Sequence, residues 1–184
     1  AMVQQDACDG VVVTQGTDTL EETAFLLDLL LDVDIPVVMT AAMRNPALAS
    51  ADGPGNVLAA VRVAATPWAA ARRVGVLVAM LDHAHAALEV AKTQTSRLDA
   101  FHSPSAGPVA TLAETRVVPL MQPVRDWKAV VSAIVGASPA SRFAGAAPVA
   151  LLWLGLGEHG ALLDALLDSP RHLGYGGVVV GAMG

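Results

Sequence analysis

Gly10-Val11-Val12-Val13-Thr14-Gln15-Gly16-Thr17-Asp18-Thr19-Leu20-Glu21-Glu22 passes from a β-branched run, through a glycine turn, into acidic helix-like sequence. A short continuous apolar run suits a strand buried on both faces, as in a parallel sheet. From Leu20 to Leu31, the apolar positions Phe25, Leu26, Leu29 and Leu30 fit helical spacing. Glu21, Glu22, Asp28 and Asp32 are then left for solvent. Asp34-Ile35-Pro36 ends that helix, and Pro36 to Thr40 reads as a second strand. A second helix is expected over Pro54 to Ala65, with a first-turn proline and Asp52 as its cap. Val74 to Met80 reads as a third strand. This β-α-β-α-β order predicts a parallel sheet with right-handed crossovers.

Further along, the pattern changes. Pro104, Pro108, Pro119 and Pro123 surround two β-like runs, Val109 to Leu112 and Arg116 to Leu120, which read as a hairpin. Asp126 to Val135 suits a short helix, and Gly136 to Pro148 a loop. Val149 to Leu154, Gly160 to Leu167 and Gly177 to Val180 then spell strand, helix and strand. The expected class is α/β. A parallel-sheet N-terminal domain covers 1–125 and ends in the hairpin, a linker covers 126–147, and a second α/β domain begins over 148–184. The run Gly177 to Gly184 reads as a buried strand entering a glycine turn. The chain is therefore expected to be a slice of a longer polypeptide, lacking residues at both ends.

Composition narrows the function. The 184 residues hold 11 Lys and Arg against 17 Asp and Glu, and 15 % are charged. An ordinary globular domain carries about 25 %. At 54 % hydrophobic, the chain is too apolar for intrinsic disorder. A net charge of −6 without a basic cluster argues against nucleic-acid binding. The longest uncharged run, Phe143 to Gly157, has 15 residues. A membrane span needs roughly 18, so this run reads as a buried strand leading into a turn. The single cysteine, Cys8, excludes an internal disulfide framework and is expected to be buried.

Several residues could carry chemistry. In parallel α/β sheets, ligands bind at the carboxyl ends of strands, where Gln15 to Thr19 sits. Gly16 permits a tight turn. Thr17 and Asp18 then offer a hydroxyl and a carboxylate beside exposed helix N–H groups, a pairing that can hold a polar substrate. The same residues also fit plain capping, with Asp18 or Thr19 as cap and Glu21 or Glu22 completing a capping box. Lys92 is the only lysine before Lys128. Buried among apolar and small neighbours, it is a candidate base for a threonine hydroxyl; exposed, it merely solubilises. Ala41-Ala42-Met43-Arg44 and Ser50-Ala51-Asp52-Gly53-Pro54 could line a tight pocket or form a crossover loop. His83 and His85 alternate and can point the same way, but two histidines are one ligand short of a catalytic zinc site. Gly155 to Gly157 is a turn, too short for a dinucleotide fingerprint.

In register, these segments resemble the bacterial-type L-asparaginase family. Asp9 through Ala24 is similar to its second signature. Pro36 to Arg44, Ser50 to Pro54 and Lys92-Thr93-Gln94-Thr95 follow in the family's order and at about its spacing. The resemblance covers most of 6–125 and, more weakly, 148–184. It implies hydrolysis of L-asparagine, and often L-glutamine, to the acid and ammonia, with two threonines and no metal or organic cofactor. By that match Thr17 is a nucleophile or positions water, Lys92 is its base, Asp18 grips the substrate ammonium, and Ala42 lies near the substrate amide. It also implies a larger N-terminal domain, a smaller flavodoxin-like C-terminal domain, and dimers paired into tetramers. The family's glycine-rich Thr-Gly-Gly-Thr-Ile-type strand end, which carries the other threonine, is absent from the sequence. Leu81 stands where many members have asparagine, and Gln15 replaces a common histidine. Two other readings of such a chain are a non-catalytic module of this fold and an amidase that supplies ammonia to an amidotransferase.

Overall fold

The computed structural model describes residues 8–71, 74–135, 145–168 and 174–182. The chain divides into two units, 1–134 and 135–184. In the first, β1 (Val11–Thr14), β2 (Val37–Thr40) and β3 (Val76–Met80) lie side by side in parallel. A short 3-10 turn at Thr17–Thr19 leads from β1 into α1 (Leu20–Leu30). The helix α2 (Gly53–Ala64) and the five-residue α3 (Pro67–Ala71) join β2 to β3.

Beyond β3 the sheet continues rather than ending. β4 (His83–Ala86) folds back antiparallel on β3, and β7 (Ala110–Ala113) and β8 (Arg116–Pro119) extend it to six strands in the order β1-β2-β3-β4-β7-β8. The hairpin read between Val109 and Leu120 thus forms, and its strands belong to the same sheet. The two-residue strands β5 (Ala91–Lys92) and β6 (Phe101–His102) make a separate small ladder. The helix α4 (Trp127–Val135) follows within the segment expected as linker.

Burial on both faces explains the continuous apolar strands. Every residue of β2 and β3 is buried. Val38, Leu77 and Ala79 meet Ala59, Ala60 and Val63 of α2 on one face. Val37, Met39, Val76 and Val78 meet Leu20 and Ala24 of α1 on the other. β1 departs from expectation: it is the sheet edge and only partly buried.

Helix α1 also turns a different face inward. Leu20, Ala24 and Asp28 are its buried residues, while Phe25 and Leu26 are 37 % and 51 % exposed. Asp28, expected in solvent, is a core residue because partners satisfy it there. Its Oδ1 accepts from Val76 N–H at 3.0 Å and from Arg125 Nη2 at 2.6 Å. Burial pushes its carboxyl above the ordinary value, against the opposing pull of the Val76 N–H, Arg125 and Lys128. In α2 the buried set Asn56, Ala59, Ala60, Val63 and Ala64 follows the expected helical spacing.

In the second unit, β9 (Val149–Trp153) and β10 (Gly177–Gly181) pair in parallel, with α5 (Ala161–Asp168) between them in sequence. This is the expected β-α-β unit. Ala150 and Leu152 of β9 are buried with Leu166 of α5, whereas Val149, Leu151 and Trp153 are exposed. Within this unit β9 and β10 are therefore half-covered strands, not fully buried ones. Most of the loop expected over 136–148 lies outside the described residues. No helix of the described residues is long and apolar enough to cross a membrane.

Candidate active site

Parallel pairing of β1 with β2 puts Thr14 beside Thr40, and Gln15 N–H donates to Thr40 O at 3.1 Å. The turn carrying Thr17 and Asp18 therefore leaves the carboxyl end of the sheet. Lys92 arrives there from the β5–β6 ladder. Its Nζ donates to Thr17 Oγ1 at 2.8 Å and to Asp18 Oδ1 at 2.7 Å. Residues 74 and 75 positions apart thus form one cluster. The Lys92 side chain is only 14 % exposed, so its solubilising reading gives way to the buried one.

The capping alternative also finds its answer here. Thr19 occupies the N-cap of α1, yet its side chain makes no cap hydrogen bond. Thr19 Oγ1 instead accepts from Gln15 Nε2 at 2.9 Å, as does Thr23 Oγ1. Glu21 does not reach back to the cap, because its carboxylate accepts the Lys92 backbone N–H. Asp18 keeps a side chain that is 93 % exposed. The hydrogen bond from Lys92 and its charge hold the Asp18 carboxyl below its ordinary value. Asp18 is thus an exposed, ionised carboxylate held by Lys92 at one oxygen.

Ala42 stands two residues beyond β2, exposed, with Gly53 against its methyl. It takes no part in the Thr17–Asp18–Lys92 hydrogen bonds. The two segments quoted around it are joined. Asp52, expected to cap α2, makes no side-chain cap bond. Its carboxylate accepts from Met43 N–H and Arg44 N–H, both at 2.9 Å. Burial opposes ionisation of Asp52, but those N–H groups and Asn56 outweigh it and hold its carboxyl low. Asn56 is 3 % exposed, donates to Ala41 O and Asp52 Oδ2, and accepts from Leu81 N–H. It ties the ends of β2 and β3 together. Its sequence signal was a polar residue in phase with Ala59, Ala60 and Val63.

The remaining candidates lie elsewhere. His83 and His85 do share a side of β4, with ring centroids 6.1 Å apart. His102 lines the same cavity of about 430 Å³, a third histidine that sequence distance had concealed. Among the described residues, no group of three His, Cys, Asp or Glu could hold a metal ion. His85 is buried, and its Nδ1 is 2.9 Å from Ser103 Oγ. Burial, with His83 and His102 adding to it, pulls its pKa down to about 4. Cys8 is half-buried rather than buried. A larger cavity of about 700 Å³ lies at the amino ends of β2 and β3, away from Thr17.

A family model described as "Asparaginase, N-terminal" matches residues 1–125. "L-asparaginase 2" of Bacillus subtilis (strain 168) is 45 % identical over 113 residues, 61 % of this chain and 30 % of that protein. "Probable L-asparaginase 4" of Schizosaccharomyces pombe is 35 % identical over all 184 residues, 48 % of that protein. A crystal structure of a probable cytoplasmic L-asparaginase from Campylobacter jejuni superposes with a TM-score of 0.83 at 30 % identity, covering 100 % of this chain and 57 % of that one. The chain spans about a third to a half of the curated relatives it matches.

Proposed function

Because the chain belongs to the asparaginase family, we propose that the protein hydrolyses L-asparagine to aspartate and ammonia. One contact carries the reading: the Lys92 amine lies 2.8 Å from Thr17 Oγ1. That is hydrogen-bond reach for a base and the hydroxyl it activates. As the substrate's side-chain amide approaches, the Lys92 amine, acting as base once its own ammonium proton has left, takes the Thr17 proton and Oγ1 attacks the carbonyl carbon. The tetrahedral adduct collapses as the amide C–N bond breaks. Lys92 returns the proton to the departing nitrogen, which leaves as ammonia. Water then hydrolyses the aspartyl ester. If Thr17 orients water instead of attacking, the same proton path serves. Asp18 receives the substrate's α-ammonium, and Ala42 borders the amide.

Glutamine as a second substrate has support in a relative named "Glutaminase-asparaginase" from Acinetobacter glutaminasificans, 42 % identical over 113 residues. Association of subunits, with a neighbour completing the site, belongs to the same proposal. Kinetics of Lys92→Met on L-asparagine test it, since thioether and amine stems have similar volume. General-base loss predicts a kcat drop of about 10²–10⁴-fold. Near-normal kcat overturns the reading.

A further inference from the structure

We propose that Glu21 is a positioning residue for this reaction, holding the Lys92 backbone so that its amine meets Thr17. The inference rests on the Lys92–Thr17 reading above. Lys92 ends a strand of two residues whose partner is equally short. Such a ladder has little rigidity of its own. A lysine amine also hangs on four rotatable bonds, so its place depends first on where its backbone is anchored. On one side the anchor is the ladder, where Lys92 stands opposite Phe101 and the following Thr93 N–H donates to Ala100 O at 2.8 Å. On the other it is Glu21, whose Oε2 accepts the Lys92 N–H across 71 residues.

Glu21 suits that task because of where it sits. It lies four residues after Thr17, in the first turn of α1. One continuous turn therefore carries both the hydroxyl to be activated and the acceptor that fixes the base. The Lys92 N–H would otherwise be a partly buried donor without a protein partner, which is costly. Glu21 does not bond to Thr17 or Asp18, so its influence runs through the position of Lys92. Misplacing a reacting group by about 1 Å can cost on the order of 10²-fold in rate.

A plain structural role for Glu21, as a favourable charge at a helix N-terminus, predicts the opposite ranking of two substitutions. Glu21→Gln keeps the length and an accepting oxygen but loses the charge. Glu21→Asp keeps the charge but withdraws the acceptor by one carbon. In the complete protein with L-asparagine, Glu21→Gln should retain kcat within about threefold, and Glu21→Asp should lose about 10- to 10²-fold with KM little changed. In the Lys92→Met background, Glu21→Asp should cost nothing further, because residues acting through one group are not additive. Wild-type kcat in Glu21→Asp, or equal impairment of Glu21→Gln, overturns the inference while leaving the Lys92 reading intact. Normal kcat in Lys92→Met overturns both.

Discussion

Arg125 Nη2 lies 2.6 Å from Asp28 Oδ1, joining residues 97 positions apart in a pair whose side chains are 19 % and 6 % exposed. Gly75, at φ +79°, makes room for it, since a Cβ there would lie 2.5 Å from Arg125 Cζ. Removing one partner of such a pair leaves a buried charge, which typically costs 3–5 kcal/mol. Asp28 has an escape, because burial already raises its carboxyl and protonation neutralises it. Without Arg125 that carboxyl rises further, so the penalty grows as pH rises through it and shrinks on the acid side. Arg125→Leu should therefore cost about 2–4 kcal/mol near pH 8 and clearly less near pH 5. Adding Asp28→Asn should recover most of the loss. Denaturant melts at the two pH values check it; a pH-independent loss would show that the pair's charge is not the cause.

Leu81 adopts φ +45° and Asp82 φ +59° in the tight turn between β3 and β4. A γ-branched side chain is disfavoured in the left-handed region, where asparagine is tolerated. Leu81 is 38 % exposed, so its replacement forfeits only part of the packing of a core leucine. Its N–H would still donate to Asn56 Oδ1. Leu81→Asn should stabilise by about 0.5–1 kcal/mol, read as a higher denaturation midpoint at unchanged slope. A lower midpoint would mean that the leucine's packing outweighs its backbone strain.

Burial of His85 points to an acid sensitivity of the first unit. Its pKa falls from 6.5 to about 4 on folding, so between those values the unfolded chain binds the proton and the folded one does not. Stability is then fully present above pH 6.5 and declines as pH falls to 4. The decline attributable to this group is about 3 kcal/mol at most. His85→Asn retains a polar group near Ser103 and removes the titration. Its stability should lose that slope between pH 6.5 and 4; an unchanged slope would assign the sensitivity to other groups.

Thr17 and Asp18 should separate kinetically. Thr17→Val removes the hydroxyl and should lower kcat as far as Lys92→Met does, with the double variant losing little more. On the proposed reading, in which the Asp18 carboxylate receives the substrate ammonium, Asp18→Ala should raise KM for L-asparagine as well. An Asp18→Ala variant with wild-type KM would remove Asp18 from substrate binding.

Much of the first unit was legible because the information is local. Runs such as Val37 to Thr40 and Val76 to Met80 are apolar on both faces, which only a strand covered by helices on both sides can satisfy. The position of Thr17 and Asp18 after a strand was likewise readable from neighbouring residues alone. Periodicity misjudged the phase of α1. Asp28 counts as polar in any local pattern, and partners 48 and 97 residues away, Val76 and Arg125, make its burial tolerable.

The sequence by itself thus determined the order of the first three strands and the two long helices between them, the helix–strand–helix covering of β2 and β3, and the residue types available for chemistry. The tertiary structure alone decided which of them meet. The fold-back of β4, and β5 with β6, bring Lys92 to Thr17 and set Glu21 on the Lys92 N–H. The same fold brings His102 into the cavity of His83 and His85, and extends the sheet through the β7–β8 hairpin. Hydrophobic period records which face of an element is covered. It carries no record of the partner that covers it, because that choice depends on packing and hydrogen bonds between segments distant in the chain.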